Sequence, residues 1–223
     1  GLGDVYKRQH DLSRVTVVVA PEDSVPRVVL YARLSLFGPG AARLHDEILA
    51  LAAPWPIGDE APSPYKDRAT AARAITDLER LLARAPAIPG PRIQEKVLEW
   101  GPRLLEALWP ALEADADARA IEARNSLLQR GRREADELRR LIERQKKAVG
   151  AASVRLRQEE LFQALDKDQK RQRDLDLRHL GQRARAIEQE IETEPAAIEA
   201  LYAVKMTRLS PLGMAVSWPE AMM

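Results

Sequence analysis

The sequence has no cysteine, few aromatic residues and almost no net charge. The absence of cysteine excludes disulfides and thiolate metal sites, and it suits a cytoplasmic protein. Aromatic residues fill only 4% of the 223 positions and much of the hydrophobic 45% is alanine, so we expect a modest core that relies on helix–helix contact. Because the net charge is only +1, any contact with nucleic acid must be local.

Long apolar runs are also missing. No run approaches the roughly 20 residues that a transmembrane helix needs, and no signal peptide is visible. We therefore predict a cytoplasmic protein without a membrane partner.

Proline is absent between residues 111 and 194, where two charged segments carry an apolar repeat typical of coiled coils. The segments cover residues 111–149 and 153–193. Their apolar positions follow steps of three, four and seven, so each helix has one narrow seam to bury. The seam positions are Ile121, Leu128, Ala135, Leu138, Ile142 and Val149, followed by Leu177, Leu180, Ala184, Ile187 and Ile191.

A turn is predicted between the two segments. Gly150 can take the left-handed position after a helix, and Ser153 can cap the next one. This predicts an antiparallel hairpin roughly 60 Å long, at ~1.5 Å rise per residue. The alternative is one continuous helix, because a single internal glycine costs only ~1 kcal/mol.

The regions on either side of these segments have a different pattern. Alternating apolar residues predict strands at 14–20 and 27–37, and a helix is predicted at 41–52. After Pro195, two short alternating stretches flank Ser210-Pro211-Leu212-Gly213, whose residue types fit a type I turn. They predict a β-hairpin at the C-terminal side.

Together these patterns predict an α+β fold, mainly α, in which a long antiparallel helical hairpin (a coiled coil) projects from a small antiparallel β-sheet with packed helices. Residues 1–9 include Asp4-Val5-Tyr6-Lys7-Arg8-Gln9, which resembles the translation of a sequencing-library adapter, so we expect an artefact there and a truncated reading frame. The remaining segments are a β-rich segment with one helix (10–60), a helical segment (61–110), the antiparallel coiled-coil arm (111–193) and the C-terminal β-hairpin (194–223).

Few residues have the types and spacing that catalysis requires. His45, Asp46 and Glu47 could supply an acid and a base, but a polar face of the predicted helix explains them more simply. Asp176 and His179 lie three apart on one helical face, without a third metal ligand nearby. We predict no catalytic, cofactor-binding or metal-binding residue in this chain.

The one local charge asymmetry lies around the predicted turn. Between residues 144 and 158 there are five basic residues and no acidic one. A folded hairpin would gather them at its tip, where they could neutralise DNA phosphates or contact a partner. A solvated basic tip is the alternative, since cations also suit the C-terminal end of a helix. The candidate contact residues are Arg144, Lys146, Lys147, Arg155 and Arg157.

Two passages carry a resemblance to a known family. One is VVLYARLSLFGPGAARLHDE at 28–47, and the other is IEALYAVKMTRLSPLG at 198–213, followed by Trp218-Pro219. With a charged helical arm between them, they resemble the C-terminal region of bacterial Swi/Snf-type helicases, particularly the helicase-like DrmD family of DISARM antiphage systems. The resemblance spans most of residues 28–219.

The resemblance implies a parent protein that hydrolyses ATP with Mg²⁺ and moves along double-stranded DNA. No motor motif occurs in this chain, so no catalytic residue is carried over and no cofactor is expected here. The chain would be an accessory region that docks on its missing motor domains, touches double-stranded DNA or recruits other defence-system proteins. The alternative is a stand-alone coiled-coil scaffold or adaptor that binds a partner protein.

Overall fold

The computed structural model describes residues 14–56, 61–162 and 166–223; the predicted artefact at 1–9 lies outside them. Three strands come first, then three helices, then a fourth strand, so the mainly helical α+β class is confirmed. The elements are β1 (Val15–Ala20), β2 (Arg27–Phe37), β3 (Arg43–Pro54), α1 (Arg68–Ala83), α2 (Pro91–Phe162), α3 (Lys167–Leu201) and β4 (Met206–Pro219).

The chain divides into two compact units. Among the described residues, the sheet unit contains 14–37, 43–123 and 206–223. The arm unit contains 38–42 and 124–205. Helix α2 belongs to both, because the boundary falls between Ala123 and Arg124.

The sheet unit is built on four strands in the order β1-β4-β2-β3. Strand β2 pairs antiparallel with β3 and β4, whereas β1 pairs parallel with β4. The sheet is therefore mixed, not purely antiparallel as expected. The near-continuous apolar runs of β1 and β2 fit this arrangement, because strands that are buried on both faces do not alternate with polar residues.

Helices cover both faces of this sheet. On one face Val18, Val29 and Ala215 form a buried cluster with Ala74 and Leu78 of α1. On the other face α2 comes so close that a Cβ added at Gly101 would lie 3.8 Å from Met214 Cε. Full burial of one large aliphatic side chain stabilises a fold by ~1.5–3 kcal/mol. In α2 the fully buried leucines of this unit are Leu104, Leu108 and Leu112.

The helix predicted at 41–52 is wrong, because this segment forms β3. Strand β2 is 11 residues long, and β3 pairs with it from Arg27↔Pro54 to Phe37↔Arg43. Residues 38–42 connect β2 to β3, and Gly40 there has a φ of 61°, a left-handed value that favours glycine. Long-range pairing with β2 outweighs the helix propensity of the alanines and leucines in this segment.

The predicted C-terminal β-hairpin is also wrong, because β4 is a single strand of 14 residues. Its register moves from Tyr31↔Gly213 to Ala32↔Pro211, so Leu212 is the extra residue of a β-bulge. The bulge replaces the predicted turn because β2 offers a partner along the whole length of β4. Pro211 is tolerated because β1 pairs only with the later residues Met214–Pro219, and the missing N–H therefore interrupts no ladder on that side.

The arm unit is a helical hairpin with the predicted kind of seam. Ala135 and Ile142 of α2 and Ile187 of α3 are buried, which confirms these seam positions. Ile121 and Leu128 are 59% and 47% exposed, so the prediction is wrong for them. A straight helix drifts from a strict seven-residue repeat, and near this end the buried residue of the arm unit is Gly131, which lies against Tyr202.

The turn of the hairpin was predicted in the wrong place. Helix α2 continues through Gly150 to Phe162, and the Ser153 hydroxyl donates to the Val149 carbonyl within the helix (3.0 Å). Helix α3 begins after Asp166, whose carboxylate and backbone exchange hydrogen bonds with Gln169 in a capping box. Such a cap satisfies two helix-end donors, whereas the glycine alone costs too little to end the helix.

Candidate functional site

The five candidate basic residues lie on the last turns of α2, and all five are exposed. Because the helix continues to Phe162, they are not gathered at a tip. From Arg144 to Arg157 they extend along about 20 Å of helix at ~1.5 Å per residue. The predicted clustering of these five residues around a turn at Gly150 is therefore wrong.

Three of the five point away from α3. At about 100° per residue, Arg144, Lys147 and Arg155 fall on the side of α2 opposite the seam residues Ile142 and Val149. This side of the helix is accessible to a large partner without any change in the packing of the seam.

The other two cations flank the seam and differ from each other. Lys146 Nζ lies 3.3 Å from Glu188 Oε1 of α3, so this residue connects the two helices. Arg157 has no such partner. Within the part of the chain that the structure describes, none of Arg144, Lys147, Arg155 and Arg157 has an ion-pair partner. We call these four residues the arm cations.

The contacts between α2 and α3 fix the alignment of the hairpin. Arg183 Nη2 donates to Gln145 Oε1 (3.0 Å) and to Glu190 Oε2 (2.9 Å). Lys146 pairs with Glu188, whereas Glu134, earlier in α2, contacts Tyr202 just after α3 (2.6 Å), so residue numbers rise along one helix as they fall along the other. The two helices are therefore antiparallel.

A second polar cluster holds the other end of the hairpin. The Tyr202 hydroxyl donates to Glu134 Oε2 (2.6 Å) and Arg130 Nε donates to Glu134 Oε1 (2.9 Å), while the Arg130 guanidinium lies 5.6 Å from the centre of the Tyr202 ring. These two donors lower the pKa of Glu134, and the carboxylate raises the pKa of Tyr202. Gly131 makes room for the ring, because a Cβ there would lie 3.0 Å from Tyr202 Cβ.

The residues His45, Asp46 and Glu47 do not form one acid–base site. They lie on β3, where alternation puts Asp46 on the face opposite His45 and Glu47. His45 Nε2 is 3.4 Å from Glu47 Oε2, and Arg119 of α2 is 3.9 Å from Glu47 Oε1. The interpretation as a polar helix face is wrong, because this segment is a strand.

Asp46 is held by three side chains. Arg33 donates to it through two nitrogens, the Ser35 hydroxyl donates at 2.7 Å, and Arg43 Nη1 lies at 3.5 Å. The hydrogen bonds from Arg33 and Ser35 hold the pKa of Asp46 well below its usual range. A carboxylate with such a low pKa is a poor proton acceptor near neutral pH.

Asp46 belongs to a surface that the sequence patterns did not predict, and we call this surface the open sheet face. Tyr31 and Ala50 pack against the cluster that α1 forms with the sheet, and most side chains further along this face of β3, β2 and β4 are exposed or half-buried. Arg33 and Ser35 share one face of β2 by alternation, but their partners from β3 and β4 follow only from the register. The open sheet face consists of Arg33, Phe37, Arg43, Asp46, Ile48 and Arg208.

A cavity of about 520 Å³ lies beside α1 in the sheet unit. At its base the Ser217 hydroxyl donates to Asp23 Oδ2 (2.6 Å), and Arg27 Nη2 pairs with Asp23 Oδ1 (2.8 Å). Ser217 and Asp23, the most buried polar side chains of the cavity, therefore hydrogen-bond to each other.

Asp176 and His179 are not brought to a metal site. His179 is exposed, and Asp176 accepts a hydrogen bond from Gln172 Nε2 (3.0 Å). In residues 14–56, 61–162 and 166–223, no group of three or more His, Asp or Glu side chains could hold a metal ion. None of the helices described has both the length and the apolar character needed to cross a bilayer.

Comparison of the chain with known protein families, with curated proteins and with solved structures found no match.

Proposed function

We propose that this chain is a non-catalytic accessory region of an ATP-dependent DNA translocase of the Swi/Snf type that acts in antiphage defence. In this proposal ATP and Mg²⁺ bind to motor domains outside this chain, and the arm contacts the backbone of double-stranded DNA. Its protein partners are those motor domains and other proteins of the defence system, and it works in the cytoplasm. The two passages that resemble the helicase family and the arm cations support the proposal.

The arm cations are the observation that carries this function. No acidic residue occurs between positions 144 and 158, so this stretch of α2 carries a local excess of positive charge. Basic groups of this kind release counterions when they meet phosphates, which gives affinity that does not depend on the base sequence. Their spread of about 20 Å along one helix fits several phosphates of one duplex, which carries one charge per ~1.7 Å of its axis.

The test is a variant in which the four arm cations, Arg144, Lys147, Arg155 and Arg157, are replaced by glutamine. Binding of a short labelled DNA duplex is followed by fluorescence anisotropy at several KCl concentrations. Each phosphate contact adds ~0.9 to the slope of log affinity against log salt, so the variant should lose up to ~3.6 from this slope and bind more weakly.

A charge-matched control separates a local contact from general attraction. Four exposed arginines on α1 or directly after it are replaced by glutamine, which changes the net charge by the same amount. The control should keep the wild-type slope. If both variants lose the same part of the slope, the arm does not contact DNA and the proposal is wrong. The control positions are Arg68, Arg73, Arg80 and Arg84.

A second candidate function is a coiled-coil adaptor that binds a partner protein. It is favoured by apolar side chains on the outside of the arm, where Leu128, Leu141 and Val154 are 47%, 54% and 53% exposed. The coding sequence upstream of His10 distinguishes the two candidates. Motor motifs there would support the accessory region, whereas a start codon without motor motifs would support the adaptor.

A further inference from the structure

The open sheet face is a flat surface on three adjacent strands. Arg33 of β2 lies opposite Ile48 of β3, and in the row beyond Ser35 Phe37 lies opposite Arg43. Since neighbouring strands are ~4.8 Å apart, three strands make a surface about 10 Å wide. Ile48 is 65% exposed and Arg43, Asp46 and Arg208 are also exposed, whereas Arg33 and Phe37 are half-buried.

The charge of this surface is positive. It carries one carboxylate, that of Asp46, which pairs with Arg33 and Arg43, while Arg208 lies on the opposite side of Ser35. Arg33 and Arg43 both contact Asp46, whereas Arg208 has no ion-pair partner among the residues described. The balance is three guanidinium groups against one carboxylate, so an anionic ligand would be attracted.

The same surface also offers apolar area. The Phe37 ring lies at one end with the Arg43 guanidinium 5.9 Å from its centre, and Ile48 projects from the neighbouring strand. An aromatic ring with nearby cations on a flat surface is the combination that stacks bases while it neutralises their phosphates. An acidic peptide would use the cations but would leave the ring unused.

We propose that the open sheet face binds single-stranded nucleic acid, with a base stacked on Phe37 and phosphates close to Arg208 and Arg33. A single strand fits better than a duplex, because a flat sheet has no element that could enter a groove, whereas an unpaired base is free to lie on the ring. This site lies in the sheet unit and needs neither the arm cations nor the translocase assignment.

The test measures binding of a labelled oligo(dT) by the full chain. Phe37→Ala should weaken binding about tenfold, because stacking on one aromatic ring contributes ~1–3 kcal/mol. Phe37→Trp should keep or increase the affinity. Arg208→Gln should lower the salt slope by ~0.7, the contribution of one phosphate contact on a single strand. The charge-matched control is Arg73→Gln on α1, which should leave the slope unchanged.

Competitors test the class of ligand. Unlabelled oligo(U) should displace the probe about as well as oligo(dT), because stacking on Phe37 needs only the face of a base. Duplex DNA and poly-glutamate should compete poorly. Equal affinity of wild type, Phe37→Ala and Arg208→Gln would overturn the proposal, as would equal competition by duplex or poly-glutamate. The variant lacking the arm cations should still bind oligo(dT), so the two proposals can fail independently.

Discussion

The sheet unit and the arm unit are stabilised in different ways. Helices pack on both faces of the sheet apart from the open sheet face, and its core includes Trp55, which packs between Trp100 and Trp218 at ring-centre distances of 5.9 and 5.8 Å. The arm is held by one narrow seam with small residues such as Ala135, together with polar bridges between its helices. A wide core resists opening more than a seam does, so we expect local opening to begin in the arm.

The same difference decides which substitutions matter. In the sheet unit a buried side chain contacts neighbours from several elements, and its loss is felt by the whole unit. In the arm the helices approach closely through small residues, so added volume is as harmful as lost volume. All four tryptophans lie in the sheet unit, at positions 55, 100, 109 and 218. Tryptophan fluorescence therefore follows the sheet unit, while far-UV circular dichroism follows mainly the helices.

The largest effect is expected for Leu30→Ala at the centre of β2. Leu30 is fully buried, and a leucine-to-alanine change in a core costs ~2–5 kcal/mol. We therefore expect the free energy of unfolding to fall by about 3 kcal/mol. Ile48→Ala in the neighbouring strand, at a 65% exposed position, should cost less than ~0.5 kcal/mol. Denaturant titration followed by tryptophan fluorescence measures both. Equal costs for the two changes would contradict the wide core of the sheet unit.

Alanine substitutions at two glycines test the arm, and we expect them to change stability in opposite directions and by less than Leu30→Ala. Gly131→Ala should destabilise it by ~1–2 kcal/mol, because the new Cβ would overlap Tyr202 and overpacking outweighs the gain in helix propensity. Gly150→Ala has open space around it and should stabilise α2 by up to ~1 kcal/mol. Thermal unfolding followed by circular dichroism measures both changes. If Gly150→Ala destabilised the protein, that result would indicate that the turn of the hairpin lies at Gly150.

The smallest effect concerns pH and Glu134. Because its folded pKa is lowered by the hydrogen bonds from Tyr202 and Arg130, its contribution to stability is present above the unfolded pKa of ~4.3 and is lost as the pH falls through the folded value. Glu134→Gln lacks this charge at every pH. The difference in Tm between wild type and variant should therefore shrink as the pH falls below ~4.3. A constant difference would show that the carboxylate charge does not stabilise the hairpin.

Local pattern was enough to predict much of the arm but not its ends. The seam through Ile142 and Ile187 depends on residues within a few turns of each other, so it was visible in the sequence. The position of the turn depends on small competing free energies, and the cap formed by Asp166 and Gln169 competes with Gly150 for the chain reversal. The grouping of the five basic residues at a tip was predicted wrongly, because it depended on the position of the turn.

The sheet unit was harder to predict because its strands depend on distant partners. Nothing within β3 forbids a helix, and only pairing with β2 makes it a strand. The Ser210-Pro211-Leu212-Gly213 sequence fits a turn until β2 is present to pair on both sides of Leu212. The open sheet face was missed for the same reason, since Arg33, Asp46 and Arg208 are brought together by register and not by spacing along the chain.

The position of β4 affects how the protein is made. It leaves the ribosome after β1, β2 and β3, yet it lies between β1 and β2 in the sheet. During translation β1 and one edge of β2 remain unpaired until both long helices have been synthesised, because β4 is the strand that pairs with both. Nascent chains with such an open strand edge are prone to misassemble. We therefore expect the sheet unit to form only after residues 206–219 have been synthesised.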